Sequence, residues 1–115
     1  MVLINKSRFN AYQTMWLYVF FDLPVNTDIH RKRYARFRKN LMRDGFTMVQ
    51  FSVYHRHCAS PESVDVHKKR IKAMVPSEGM VSVMAITDKQ FALIEHFVAG
   101  KKPLPASIPQ QLEFF

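Results

Sequence analysis

The sequence has one cysteine, Cys58, among its 115 residues, so no disulfide can form within the chain. A lone thiol is typical of a reducing compartment, and we expect a cytoplasmic protein. Lys6 and Arg8 interrupt the N-terminal residues before an apolar segment of signal-peptide length can form. Apolar runs also stay well below the about 20 residues that a membrane helix requires. These absences argue against a secreted or membrane protein.

Acidic residues are also scarce, since 9 Asp and Glu face 17 Lys and Arg and leave a net charge of +8. Such an excess on a small chain favours a polyanionic partner, nucleic acid before membrane lipid. The hydrophobic fraction is 48% and the charged fraction 23%, as in ordinary globular proteins. The length predicts one domain with one core.

The longest apolar run extends from Met15 to Phe21 and stops at Asp22, two residues before Pro24. An unbroken run rich in aromatic residues is typical of a strand covered on both faces. Proline lacks the N–H that a sheet needs, so the strand ends here. Asp22 is therefore fixed at a strand end, where it either helps the chain to turn or has a functional role.

A helix is predicted from Asp28 to Arg43, with Asn26 or Thr27 as its N-cap and Gly45 after its end. Its apolar face carries His30, Tyr34, Phe37 and Leu41 at helical spacing.

The opposite face of this helix carries a row of cations with few carboxylates nearby. A solvated face usually mixes both signs of charge, so this pattern favours contact with nucleic-acid phosphates without base preference. The predicted nucleic-acid-binding residues are Arg31, Lys32, Arg33, Arg36, Lys39 and Arg43, together with Arg56 further along the chain.

The remaining chain predicts further strands and helices. Residues 46–57 form one long strand or two short ones bent near Phe51 and Ser52. Ser60-Pro61 opens a second helix, residues 80–86 form a strand, and a capping box at Thr87 starts a short helix that ends at Gly100. Prolines make residues 101–109 an extended linker.

This order predicts an α+β fold, a ferredoxin-like βαββαβ sheet with an extra C-terminal helix and edge strand. We divide the chain into an N-terminal extension (1–13), the ferredoxin-like domain (14–100) and the linker with its C-terminal strand (101–115). Both helices would cover one sheet face, and a face-to-face homodimer is the simplest way to cover the other. The tail residues expected to contact a partner or the second copy are Gln111, Leu112, Phe114 and Phe115.

A zinc site at His55, His57 and Cys58 is not favoured, because no second ligand pair with zinc spacing accompanies them. We expect Cys58 to be a buried or incidental thiol.

Several segments together resemble the Cas2 family, the small CRISPR-associated adaptation protein, here of the type II, Cas9-associated kind. They are WLYVFFDLP (16–24), RDGFTMVQFSVY (43–54), HRHC (55–58), ITDKQF (86–91) and the terminal QLEFF. The resemblance implies a homodimer that bridges two dimers of the Cas1 integrase. Together they would hold a short foreign duplex, the prespacer, for insertion into the CRISPR array.

The resemblance also implies a magnesium-dependent endonuclease of RNA or DNA as an alternative function. The family's strand-end aspartate matches Asp22, whose two copies near the dimer axis could share a magnesium ion and activate water. One carboxylate per chain is a sparse site for a hard cation, so the scaffold role is preferred. A third hypothesis, an RNA-binding sheet of the RRM type, requires exposed aromatics on the central strands.

Overall fold

The computed structural model describes residues 13–100. Along the chain lie β1 (Met15–Asp22), α1 (Asp28–Arg43), β2 (Thr47–Gln50), β3 (Val53–Cys58), α2 (Pro61–Met74), β4 (Met80–Thr87) and α3 (Asp88–Ala92). The sheet order is β2-β3-β1-β4 and every neighbouring pair is antiparallel. The predicted α+β, ferredoxin-like arrangement is therefore confirmed. The predicted C-terminal strand and most of the N-terminal extension lie outside the described residues.

The core lies between one face of this sheet and the two long helices. Alternate residues of β1 point into it, because side chains alternate between the faces of a strand. The fully or almost fully buried residues of this cluster include Leu17, Val19 and Phe21 from β1, Phe37 and Leu41 from α1, Tyr54 from β3, and Val64 and Ile71 from α2. Each such apolar side chain contributes roughly 2 kcal/mol by leaving water.

The helix boundaries follow from local capping contacts. The Thr27 hydroxyl accepts a hydrogen bond from the backbone N–H of His30 at 3.2 Å, and the Ser60 hydroxyl accepts one from Ser63 at the same distance. Gly45 has a φ of 91°, the left-handed conformation expected just after α1. The predicted bounds of α1 and the start of α2 are confirmed.

Residues 46–57 form the two short strands β2 and β3, the second of the two alternatives. They are joined at Phe51 and Ser52, and Ser52 has a φ of 63° although it is not glycine. The Ser52 carbonyl accepts a hydrogen bond from the backbone N–H of Phe21 at 3.1 Å, which fixes the turn against the end of β1.

The short helix after β4 ends earlier than predicted. Its capping box between Thr87 and Gln90 is present, but α3 stops at Ala92 and does not continue to Gly100. The N–H groups of Leu93 and Ile94 bond three residues back, to Gln90 and Phe91, so the last turn tightens and ends. Leu93 is 76% exposed, so within residues 13–100 it does not pack against the core.

The other sheet face is called the open face here. It carries Trp16, Tyr18, Phe20 and Asp22 of β1, which alternate with the core residues. Near one end, Phe91 of α3 stacks on Trp16 with ring centroids 3.9 Å apart. Towards the other end, Phe20 stays 36% exposed and Met84 of β4 45% exposed. The helices thus cover one face of β1, and residues 13–100 cover the other only partly.

No helix within the described part of the chain is long and apolar enough to cross a membrane.

Candidate nucleic-acid interface and strand-end carboxylate

The outer surface of α1 carries four exposed cations, which we call the basic row: Lys32, Arg36, Lys39 and Arg43. None of the four side chains makes a hydrogen bond or ion pair with any residue between 13 and 100. Their spacing of four, three and four residues places them on one side of the helix. The basic row is therefore available to an anion in solution.

The carboxylates nearest to α1 are already used by other groups. Asp28 pairs with Arg31 within the first turn. Asp44 follows the helix, and its carboxylate accepts hydrogen bonds from Arg70 Nη1 at 2.7 Å and from His67 Nδ1 at 2.6 Å. Neither of these two carboxylates is left to neutralise the basic row.

Three other predicted nucleic-acid-binding residues are less available. Arg31 donates to the Val25 carbonyl at 3.0 Å in addition to its ion pair. Arg33 is half-buried and lines the same small pocket as Glu78. Arg56 is half-buried, and its guanidinium donates to the backbone carbonyl of Asp44 at 2.6 Å. Their contact with nucleic acid stays a prediction.

Asp22 is exposed at the end of β1 and lies on the open face, opposite Met80 in the register with β4. The backbone of Gly79 packs tightly against the end of β1, since a Cβ on Gly79 would lie 2.8 Å from the Asp22 carbonyl oxygen. Residues 13–100 contain no group of three His, Cys, Asp or Glu side chains that could hold a metal ion. A magnesium ion shared by two copies of Asp22 stays a prediction.

The centre of the open face is an aromatic cluster around His55. The His55 ring lies 5.0 Å from the rings of both Trp16 and Tyr18 and 5.8 Å from Phe91. Burial, with a smaller effect of the nearby His96, lowers the pKa of His55 from 6.5 to about 4. Burial also raises the pKa of Tyr18 to about 12. The middle of the open face is thus uncharged at neutral pH.

The aromatic residues of β1 are poorly placed to stack on RNA bases, as the RRM-type hypothesis requires. Phe91 covers the Trp16 ring, and Tyr18 is only 6% exposed. Trp16 is also held from the side, because its Nε1 donates to Asp88 at 2.6 Å. Of the three aromatic residues of β1 on the open face, Trp16, Tyr18 and Phe20, only Phe20 has a large exposed surface.

His55, His57 and Cys58 do not come together. The first two lie on the open face of β3, whereas Cys58 points to the core and is 1% exposed. Burial raises the pKa of the Cys58 thiol. The prediction of a buried thiol is confirmed.

Sequence reasoning missed two features of this region. Asp44, the acceptor that links α1 to α2, had no signal beyond its place before Gly45. A bend near Phe51 and Ser52 is one of the two predicted alternatives, but the sequence does not predict that Phe51 is 81% exposed at that turn. An apolar residue at a turn without glycine or proline gives no warning that it faces solvent.

The predicted tail contacts at Gln111, Leu112, Phe114 and Phe115 lie outside the described residues and stay predictions.

Comparison with known proteins identifies the family. Residues 15–94 match the family model described as CRISPR associated protein Cas2. A protein of Flavobacterium psychrophilum named CRISPR-associated endoribonuclease Cas2 is 52% identical over 112 residues, 96% of each chain. One of Parvibaculum lavamentivorans with the same name is 52% identical over 88% of this chain and 100% of its own. A solved structure described as "Crystal structure of cas2" matches with a TM-score of 0.55 at 22% identity, covers 80% of this chain and 93% of its own, and supports the fold. The chain belongs to the Cas2 family.

Proposed function

We propose that this chain is a cytoplasmic CRISPR adaptation protein, a homodimer that bridges Cas1 integrase dimers and binds the duplex prespacer through its basic surface. The observation that carries the proposal is the basic row, four exposed cations whose neighbouring acids are already paired. Family membership supports the link to CRISPR adaptation. The Cas9-associated subtype stays a prediction.

The shape of the basic row suits a duplex. From Lys32 to Arg43 it extends roughly 16 Å, because a helix rises about 1.5 Å per residue. A straight row of this length can follow consecutive phosphates of a rod-like polyanion. Such contacts give affinity and register without reading base sequence, which suits a protein that must accept foreign DNA of any sequence.

The open face supports the homodimer. Its exposed part includes Phe20 and Met84, and Met80 at the β4 end is 69% exposed. Apolar side chains collected on one sheet face favour covering by another apolar surface. A second copy of this chain presents the same surface, which a two-fold axis makes self-complementary.

The basic row is tested with the double variant Arg36→Glu, Lys39→Glu. We expect weaker binding to a blunt duplex and a flatter salt dependence, measured by fluorescence anisotropy over a series of salt concentrations. A plot of log K against log salt has a negative slope, and each lost phosphate contact makes it shallower by about 0.9. Two lost contacts therefore make it shallower by about 1.8 for each bound copy of the chain. Lys68→Glu, Lys69→Glu reverses two exposed charges on α2 and is the matched control. An unchanged slope in the first variant would rule out these residues as phosphate contacts.

The alternative function is a magnesium-dependent endonuclease that uses paired Asp22 residues. Its support is the name endoribonuclease carried by the relatives and the exposure of Asp22 at a rigid strand end. In the dimer, two such carboxylates would hold the ion, which would supply an activated water for phosphodiester cleavage. Neither RNA nor DNA is favoured as the substrate by the residues around Asp22.

Asp22→Ala separates the two functions. Under the scaffold proposal, spacer integration by purified Cas1 with this variant equals that with the wild type. Asp65→Ala, another exposed acid but on α2, is the control. The result favours chemistry at Asp22 if the variant still forms the dimer but loses integration. It also favours chemistry if the variant loses an RNA or DNA cleavage activity of the wild type.

A further inference from the structure

Asp44, the residue directly after the basic row, carries its charge at the unfavourable end of a helix. The last carbonyl groups of a helix are partially negative, so this end favours cations over carboxylates. The side chain of Asp44 is only 12% exposed, so its charge also loses most of its contact with water. Donors on neighbouring elements must therefore offset both costs.

Two residues of α2 contact this carboxylate, and they differ in exposure. His67 Nδ1 lies 2.6 Å from one oxygen, and the His67 ring is buried. Arg70 donates from Nη1 to the other oxygen at 2.7 Å, although its side chain stays 57% exposed. Among residues 13–100, nothing accepts a hydrogen bond from Nε or Nη2 of Arg70. The guanidinium of Arg70 is thus held at one nitrogen and keeps free N–H groups at the others.

The end of α1 does not depend on Arg70. The backbone N–H of Gly45 closes the helix by donating to the Met42 carbonyl at 3.0 Å. An ion pair with an exposed member also contributes little to stability, because water screens it. The contact does hold a long side chain in place at Asp44, the residue that follows Arg43 of the basic row. A guanidinium that is already ordered gives up less rotamer freedom when it binds an anion.

We propose that Arg70 is a further phosphate-contacting residue, which extends the basic row from α1 onto α2, and that Asp44 is its positioning residue. The inference rests on the proposed function, because the phosphate belongs to the duplex that the basic row binds. A fixed guanidinium with free N–H groups suits a phosphate, whose oxygens accept charge-assisted hydrogen bonds. Contacts from two helices also fix the orientation of a duplex more closely than one row does.

The test compares Arg70→Gln with Lys72→Gln in anisotropy titrations of a blunt duplex over a series of salt concentrations. Lys72 is the matched control, because it is exposed on the same helix, has the same charge and lies about 200° further around the helix axis. We expect Arg70→Gln to make the slope of log K against log salt shallower by about 0.9 for each bound copy. The same lost contact weakens binding about eightfold at about 0.1 M salt and hardly at all at about 1 M. Lys72→Gln should keep the wild-type slope.

Asp44→Asn tests the positioning role, since it keeps an acceptor oxygen but removes the charge that holds Arg70. Loss of a negative charge by itself would tighten duplex binding, whereas loss of positioning weakens binding and makes the slope shallower. We expect the second result. We also expect no further change of slope when Asp44→Asn is added to Arg70→Gln, because the two residues act through one contact. Thermal unfolding of each variant fixes a titration temperature at which all of them are folded.

The inference is overturned if Arg70→Gln keeps the wild-type slope, because Arg70 then only joins α2 to α1. It is also overturned if Lys72→Gln flattens the slope equally, because net charge then explains the loss. Tighter binding by Asp44→Asn would show that Asp44 does not position Arg70. Failure of the wild type to bind the duplex, or an unchanged slope in Arg36→Glu, Lys39→Glu, contradicts the proposed function instead.

Discussion

Acidification should destabilise this protein through His55, the histidine in the aromatic cluster of the open face. In the folded chain burial lowers the pKa of His55 to about 4, whereas the unfolded chain keeps the ordinary value of 6.5. Between these two values the unfolded state binds a proton that the folded state does not. The free energy of unfolding must therefore fall as the pH falls from about 6.5 towards 4.

The size of the effect follows from the shift. Each pH unit over which one extra proton is bound changes the free energy of unfolding by about 1.4 kcal/mol. The full interval from 6.5 to about 4 would amount to about 3 kcal/mol. Because the ring is only partly buried, solvent screening reduces this figure, and we expect about 2 kcal/mol.

Urea unfolding followed by the fluorescence of Trp16 measures this loss directly. The unfolding free energy of the wild type should be about 2 kcal/mol lower at pH 4.5 than at pH 7. His55→Gln removes the titrating group and should remove most of the difference. His57→Gln, an exposed histidine on the same strand, is the control and should keep it.

Asp88 also has a shifted pKa, but it would change the free energy of unfolding in a different pH range from His55. The pKa of Asp88 is held below its ordinary 3.8, chiefly by the Thr14 hydroxyl, so its contribution is lost only below about pH 4. Equal unfolding free energies at pH 7 and 4.5, or an equal loss in His55→Gln, would refute the assignment to His55.

Two further predictions concern the supports of the site. Gly79→Ala should lower the free energy of unfolding by about 1–3 kcal/mol, because Gly79 has a φ of 101° and a Cβ would lie 2.7 Å from Leu23 Cδ2. Gly100→Ala is the control in urea titrations, because no atom of residues 13–98 lies within 4 Å of its Cβ position. An equal loss there would mean that contact with Leu23 is not the cause. Asp44→Ala should cost about 2 kcal/mol by thermal unfolding, because it leaves the buried His67 without its partner. A smaller loss in Asp44→Ala than in Asp65→Ala would contradict that explanation.

Much of the fold could be predicted because its signals are local. The start of α1 depends on one threonine hydroxyl and its end on one glycine, and both can be read from neighbouring residues. The β2–β3 turn could not be placed with certainty, since Ser52 adopts a positive φ without being glycine. What holds it there is a contact with β1, about 30 residues earlier in the chain.

In the candidate site, too, the features set by neighbouring residues could be predicted, and those set by contacts between elements could not. The basic row could be predicted, because a period of 3.6 residues fixes which side chains share a helix face. The pairing of Asp44 with His67 and Arg70 depends on how α1 packs against α2, which spacing does not reveal. The early end of α3 likewise could not be predicted, because spacing does not show that Leu93 is exposed among residues 13–100.

The placement of the helices links the two parts of the proposal. The helix α1 packs on the core face of the sheet, so the basic row and the open face lie on opposite sides of the domain. If a second copy covers the open face, both basic rows stay on the outside and point away from each other. The cations, which repel one another, are then kept apart, while the apolar surface is removed from water. Each outer side of such a dimer would then present one basic row to an anionic partner.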